Sequence, residues 1–296
     1  MKERKMSRSN RIKTPTIKDN SVIKETLKTI DLGTRGIYSK NNKLNDLTGR
    51  EWKFATKSVI NKVYPLNLQH KLRKQHGGQK PPELCTELVK IFTKEKAVVL
   101  DPLAGVGGTL LGAALCNRKA MGIEINPKWL EIYKQVCKLE NIKEQKTIAG
   151  DCKVELEKFS DNSFDFVLTD VPYWHMDRLE KTRSKRIKSS NLSHFNGSTV
   201  QTKNEWLAEM KTIFHKCQRV LKDRKYLAIF IGDMYRENEY HILSAELANT
   251  IKNPNLILKA NLIWYDVSKS LHVYGYPSAF IPSMIHQNIL IFRKET

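Results

Sequence analysis

Two short stretches of this sequence hold residues suited to binding a small molecule and acting on it. The first is VVLDPLAGVGGTLLGA at 98–113. An apolar run that reads as a strand ends at Asp101, and a turn rich in glycine leads into a helix. Gly105, Gly107 and Gly108 give that turn its freedom, because a residue without Cβ lets the backbone approach a ligand closely. Seventeen residues after Gly107, Glu124 ends a second apolar strand, where a carboxylate can accept both hydroxyls of a ribose. Phosphate and dinucleotide sites share a glycine turn after a strand. This one lacks both the Gly-x-Gly-x-x-Gly spacing and the Lys-Ser/Thr of a phosphate loop, as suits a sulfonium nucleoside without phosphates. Asp151, expected at another strand end, is placed for an adenine amino group; the plainer reading is an Asp that caps a loop.

The second stretch is FDFVLTDVPYWH at 164–175. Its apolar strand runs into Asp170, Val171, Pro172 and Tyr173, with Asp170 placed 69 residues after Asp101. An aromatic amine is a poor nucleophile because its lone pair is delocalised into the ring. Acceptors aimed at its two hydrogens favour the tetrahedral geometry that attack needs. The Asp170 carboxylate and the Val171 carbonyl could be those acceptors, with Pro172 stiffening the turn and Tyr173 stacking on the base. Such a base is out of reach inside a duplex, so it must be flipped out or single-stranded.

These motifs resemble those of the amino-group (N6-adenine and N4-cytosine) DNA methyltransferases, which carry Asp-Pro-Phe-Ala-Gly-x-Gly and Asp-Pro-Pro-Tyr. The resemblance spans about residues 75–295, including the closing YGYPSAFIPSMIHQNILIFRK. It implies that Asp101, Leu103, Ala104, Gly105 and Gly107 bind S-adenosylmethionine, with Glu124 and Ile125 after the second strand. It further implies an adenine pocket at Asp151 and Cys152, and Lys80 and Pro81 of QKPPELCTELVKIF packed on the methionine end. Catalysis would fall to Asp170, Val171, Pro172 and Tyr173. The sequence departs from the family in three ways: Leu103 replaces Phe, Val171 replaces the first Pro, and no large target-recognition domain follows. Asp rather than Ser at the first catalytic position favours adenine N6. N4-cytosine methylation, RNA base methylation and an inactive nucleic-acid-binding subunit are the alternatives, and Val171 is the feature that favours the last.

The elements that must position these residues follow from periodicity. Leu47, Trp52, Phe54 and Val59 suggest a short helix within 45–60, and Leu84, Leu88, Val89 and Phe92 a helix over 81–93 behind Pro81 and Pro82. Further helices are expected at 127–142, 206–221 and 241–252, and strands at 225–233, 256–266 and 288–294. This alternation predicts an α/β Rossmann-like methyltransferase fold, a mostly parallel sheet with helices on both faces.

The 296 residues carry 51 Lys and Arg against 31 Asp and Glu, a net charge of +20 that draws polyanions to the surface. Seven of those cations, from Lys2 to Lys18, lie in residues 1–35, expected to be a flexible basic arm ahead of a domain over 36–296. An insertion at about 175–204 carries Arg178, Lys181, Arg183, Lys185, Arg186 and Lys188, the expected phosphate contacts on DNA or RNA. With no large recognition domain, specificity is expected from this loop, the arm and the N-terminal helix region, or from a protein partner or second copy. The five scattered cysteines lack zinc spacing and suit a reducing compartment. No apolar run reaches roughly 18 residues and no signal-peptide pattern is visible, so a cytoplasmic or nucleoid location is expected rather than a membrane.

Overall fold

The computed structural model describes residues 28–172, 174 and 202–296. A hairpin opens it, with β1 (Thr29–Asp31) antiparallel to β2 (Ile37–Ser39). It takes up the last residues of the stretch expected to be an arm, so the folded part begins before residue 36. Helix α1 (Gly49–Ala55) starts at Thr48, whose hydroxyl accepts from the Glu51 N–H while the Glu51 carboxylate accepts from the Thr48 N–H. The helix expected within 45–60 stops there, because β3 (Val59–Ile60) joins the sheet through parallel pairing with Ile263 and Trp264. A short α2 (His70–Arg73) precedes α3 (Pro82–Phe92), which has the Pro-led start expected of it.

From there strands and helices alternate: β4 (Val98–Asp101), α4 (Gly108–Ala114), β5 (Lys119–Glu124), α5 (Pro127–Leu139) and β6 (Lys146–Ala149). Then come α6 (Cys152–Glu155), β7 (Phe164–Asp170), α7 (Lys203–Val220) and β8 (Leu221–Ile231). A small hairpin of β9 (Met234–Arg236) and β10 (Glu239–His241) follows, then α8 (Leu243–Ile251), β11 (Leu256–Tyr265) and β12 (His286–Lys294).

The main sheet has eight strands in the order β3-β11-β12-β8-β7-β4-β5-β6. Only β12 runs against its neighbours. Side chains alternate across this sheet as the two-residue period demands. Phe166 and Leu168 face a core closed by α3, α4 and α5, while Val167 between them faces one closed by α7 and α8. Burial on both faces explains why FVL in β7 reads as an unbroken apolar run. The Rossmann-like methyltransferase fold expected from the sequence is the fold observed. Its strand order reverses between β4 and β7, and the crevice beyond the carboxyl ends of such a pair is where ligands bind in open α/β sheets. No helix of the described residues is long and apolar enough to cross a membrane.

Candidate active site

Asp101 ends β4 and Thr169 stands one residue before the end of β7, on adjacent strands. The Thr169 hydroxyl donates to Asp101 Oδ1 at 2.7 Å, which ties the glycine turn to the Asp170 turn. Asp101 also accepts from the Leu103 N–H at 3.1 Å, and burial pushes its carboxyl up to about 6. It is buried and links the two motifs. Leu103 and Ala104 line the turn, with Ala104 N–H donating to Ile123 O at 2.9 Å.

The turn needs its glycines. Gly105 and Gly107 have φ of 50° and 77°, the left-handed region that disfavours a side chain. A Cβ on Gly107 would lie 2.2 Å from the Tyr133 ring, and one on Gly105 would lie 2.9 Å from His76 Nε2. Glu124 braces the same turn, its Oε2 accepting from the Gly105 N–H at 2.8 Å and its Oε1 from the Asn126 N–H at 2.9 Å. A carboxylate offers about four acceptor sites, so acceptor capacity remains for a ribose hydroxyl. Burial raises the Glu124 carboxyl, and the backbone N–H groups oppose that rise.

Asp151 Oδ1 accepts from the Lys153 N–H at 2.8 Å and caps α6, so the plain capping reading describes it here. Cys152 beside it is buried, while Ile125 is 41% exposed at the strand end. Pro81 is the residue before α3, and its carbonyl accepts from the Cys85 N–H.

The Lys80 side chain is buried and ion-paired with Asp170 Oδ2, which brings the segment before α3 against the Asp170 turn. Asp170 Oδ1 is buried with no hydrogen-bond partner among the described residues. Burial raises the Asp170 carboxyl, against the pull of Lys80. Val171 is buried, and its N–H donates to Phe230 O at 3.3 Å. The Pro172 carbonyl accepts from the Trp206 indole N–H at 2.8 Å, so a side chain of α7 holds the turn in which Val171 replaces a proline. Trp174 packs edge-on to His241 at 5.3 Å and under the Arg236 guanidinium at 4.8 Å. Tyr173 lies outside the described residues, as do Arg178, Lys181, Arg183, Lys185, Arg186 and Lys188.

His76 was not singled out from the sequence. It lies over Gly105, meets Trp129 edge-on at 5.0 Å, and has a buried Nδ1 with no partner among the described residues. Burial and the Lys80 charge push it down to about 4, so it is neutral at pH 7. Residues 76–80 therefore straddle both turns, His76 on Gly105 and Lys80 on Asp170. The sequence signal was its place four residues before Lys80 in QHGGQKPP. Trp206 gave none, since it sits on the apolar face of its helix like any core residue. Among the described residues no His, Cys, Asp and Glu cluster could hold a metal ion.

The sequence pattern of the N6/N4 family described as DNA methylase matches residues 5–135 and 164–296. The chain belongs to the N6/N4 amino-group DNA methylase family. S-adenosylmethionine is the methyl donor of that family, and this site fits it: a glycine cradle, acceptor capacity on Glu124 and a buried His76 nitrogen without a partner among the described residues. A tRNA (guanine(10)-N2)-dimethyltransferase of Pyrococcus abyssi is 30% identical over 108 residues, 36% of this chain and 32% of that protein. Type II methyltransferase M.HindIII of Haemophilus influenzae is 49% identical over 51 residues, 17% of this chain and 16% of that one. M.HpaI of Haemophilus parainfluenzae is 24% identical over 178 residues, 60% of this chain and 48% of that one. The chain thus spans less than half the length of these relatives. The solved structure of TrmN from Thermus thermophilus shares the fold, with a TM-score of 0.50 at 12% identity over 75% of this chain and 52% of that one.

Proposed function

We propose that the protein methylates the exocyclic amine of a base in DNA, with adenine N6 favoured over cytosine N4. The observation that carries this is the Asp170 turn, joined to the glycine turn through Asp101 and Thr169, with one carboxylate oxygen buried and without a partner among the described residues. A bound S-adenosylmethionine supplies an electrophilic methyl on sulfur. Asp170 Oδ1 accepts one hydrogen of the incoming amine and steers the nitrogen lone pair toward that methyl. A carbonyl of the turn accepts the other, while the Lys80 side chain paired with Asp170 Oδ2 opposes the rise that burial imposes on its carboxyl and so favours the accepting form. As the N–CH₃ bond forms, the S–CH₃ bond would break with its electron pair going to sulfur, S-adenosylhomocysteine would leave, and the cationic amine would lose one proton through this acceptor pair to water. Glu124 positions the ribose, and the 178–188 cations contact phosphates. Asp170 acts mainly in the transition state, so its loss belongs to the chemical step.

Single-turnover methyl transfer by Asp170→Ala, with saturating cofactor and DNA, tests the reading. Loss of one preorganised electrostatic contact should lower the rate by roughly 10²–10³ with cofactor affinity unchanged. Near-normal transfer would overturn it. The tRNA methyltransferase similarity favours a second reading, methylation of an amine in RNA. Equal amounts of DNA and RNA in one assay separate the two.

A further inference from the structure

We propose that the hairpin joining β11 to β12 docks duplex DNA, wedging Tyr276 and Phe280 into the base stack beside the target; this rests on the DNA-methylation reading above. Strand directions put the hairpin on the right side. β11 is antiparallel to β12, β12 antiparallel to β8, and β8 parallel to β7. Residues 266–285 therefore emerge from the same edge of the sheet as Asp170. Three strand spacings separate β11 from β7, roughly 14 Å, which is close to the ~12 Å width of the DNA major groove. A base turned out toward Asp170 would leave its gap in the stack at about that reach.

The hairpin is a built feature. The Asp266 N–H donates to Ile285 O at 2.9 Å at its base, Tyr274 pairs with Ile281, and the His272 N–H donates to Ser283 Oγ at 2.9 Å. Gly275 (φ 71°) turns the tip, where the Ser278 N–H donates to Gly275 O at 2.8 Å. Yet its apolar side chains point into water: Leu271, Val273, Tyr276 and Phe280 are 74%, 82%, 81% and 91% exposed. Four large apolar side chains exposed along one hairpin mark a surface that something covers.

Charge identifies the occupant. From residue 267 to 294 the chain has no Asp or Glu. Nor has it any from 52 to 82, the stretch containing β3, which lies in register with β11. Beyond β3, whose carboxyl end lies at the hairpin's edge, that stretch carries the exposed Lys62, Lys71 and Lys74. Beyond Asp266 at the hairpin base, neither of these two chain segments carries a carboxylate, in a protein with 31 of them. An apolar protein partner would not require this, whereas a phosphate backbone repels every carboxylate beside it. Aromatic side chains that enter the stack next to an extruded base are a known means of stabilising bent or opened duplex.

The test uses the full chain with Tyr276→Ala and Phe280→Ala together, and a duplex with 2-aminopurine at the target. We expect at least a tenfold loss in duplex affinity and in the flipping signal, unchanged cofactor binding, and a smaller loss on a single-stranded oligonucleotide. Phe280→Trp, which keeps a stacking face, should retain most of the affinity. Duplex binding and flipping unchanged in a folded double variant would overturn the proposal. So would unchanged DNA binding with an altered sedimentation mass, which would make the tip a protein interface. Failure of the methylation reading looks different: the unaltered protein would bind duplex through the hairpin and transfer no methyl.

Discussion

Replacing Lys80 with Met keeps most of the side-chain volume and strips Asp170 of its counter-ion. The two side chains are 7% and 21% exposed, so the pair is largely out of water. Breaking a buried pair by removing one partner costs about 3–5 kcal/mol. Asp170 can escape part of that by taking a proton. Against an unfolded value near 3.9, protonation at pH 7 caps the loss at about 4 kcal/mol, and at pH 5 at about 1.5 kcal/mol. The partial exposure of Asp170 puts the expected loss at the lower end, about 2–3 kcal/mol at pH 7. A protonated Asp170 donates where it should accept, so single-turnover methylation should fall by roughly 10² at pH 7 and recover as the pH is raised. Lys80→Met with Asp170→Asn should regain stability, because no buried charge is left unpaired, and should regain no activity. Denaturant melts at pH 5 and 7 beside pH–rate profiles measure both effects. If Lys80→Met keeps the original pH–rate profile, or the double variant is no more stable than the single one, the role given to this ion pair is wrong.

Other expectations follow from single contacts. Glu124→Ala removes a buried acceptor, worth about 1–3 kcal/mol, so calorimetry should show cofactor affinity reduced roughly tenfold or more with the fold intact. Trp206→Phe deletes the indole donor to Pro172 O and should slow methyl transfer about fivefold with cofactor affinity unchanged, as one hydrogen bond of about 1 kcal/mol implies. His76 lies near 4 in the fold against 6.5 ordinarily, so its contribution to stability is full above pH 6.5 and lost as the pH falls through 4. His76→Gln should flatten the thermal-melt dependence across that window, and an unchanged slope would contradict the burial argument. Neutralising three cations between Arg178 and Lys188 should lower the salt slope of DNA binding by roughly 2–3 units, as phosphate contacts require.

Where side chains are buried on a regular period, the sequence was readable. The β7 strand was expected at Phe164–Asp170 and found there, because both faces are covered and Asp170 ends the apolar run. The helix start at Pro82 was legible for the same kind of local reason. The β1–β2 hairpin was not, since all three residues of β1 are exposed and show no alternation. β3 is two residues long and exists through its pairing with β11, a contact some 200 residues distant in sequence. β8 begins at Leu221 rather than 225, its first turns polar and broken by Arg224 at φ 59°. In the site, residue types gave the glycine turn, Glu124 and Asp170. What they could not give was partnership: Lys80 on Asp170, His76 over Gly105, and Trp206 beneath Pro172 arise from segments that meet only in three dimensions.

The measurement that bears most directly on the central claim is nucleoside analysis of DNA incubated with the purified chain and methyl-labelled S-adenosylmethionine. N6-methyladenine carrying the label, absent with Asp170→Ala, is the predicted result. Label in RNA alone, or in neither nucleic acid, would contradict the account.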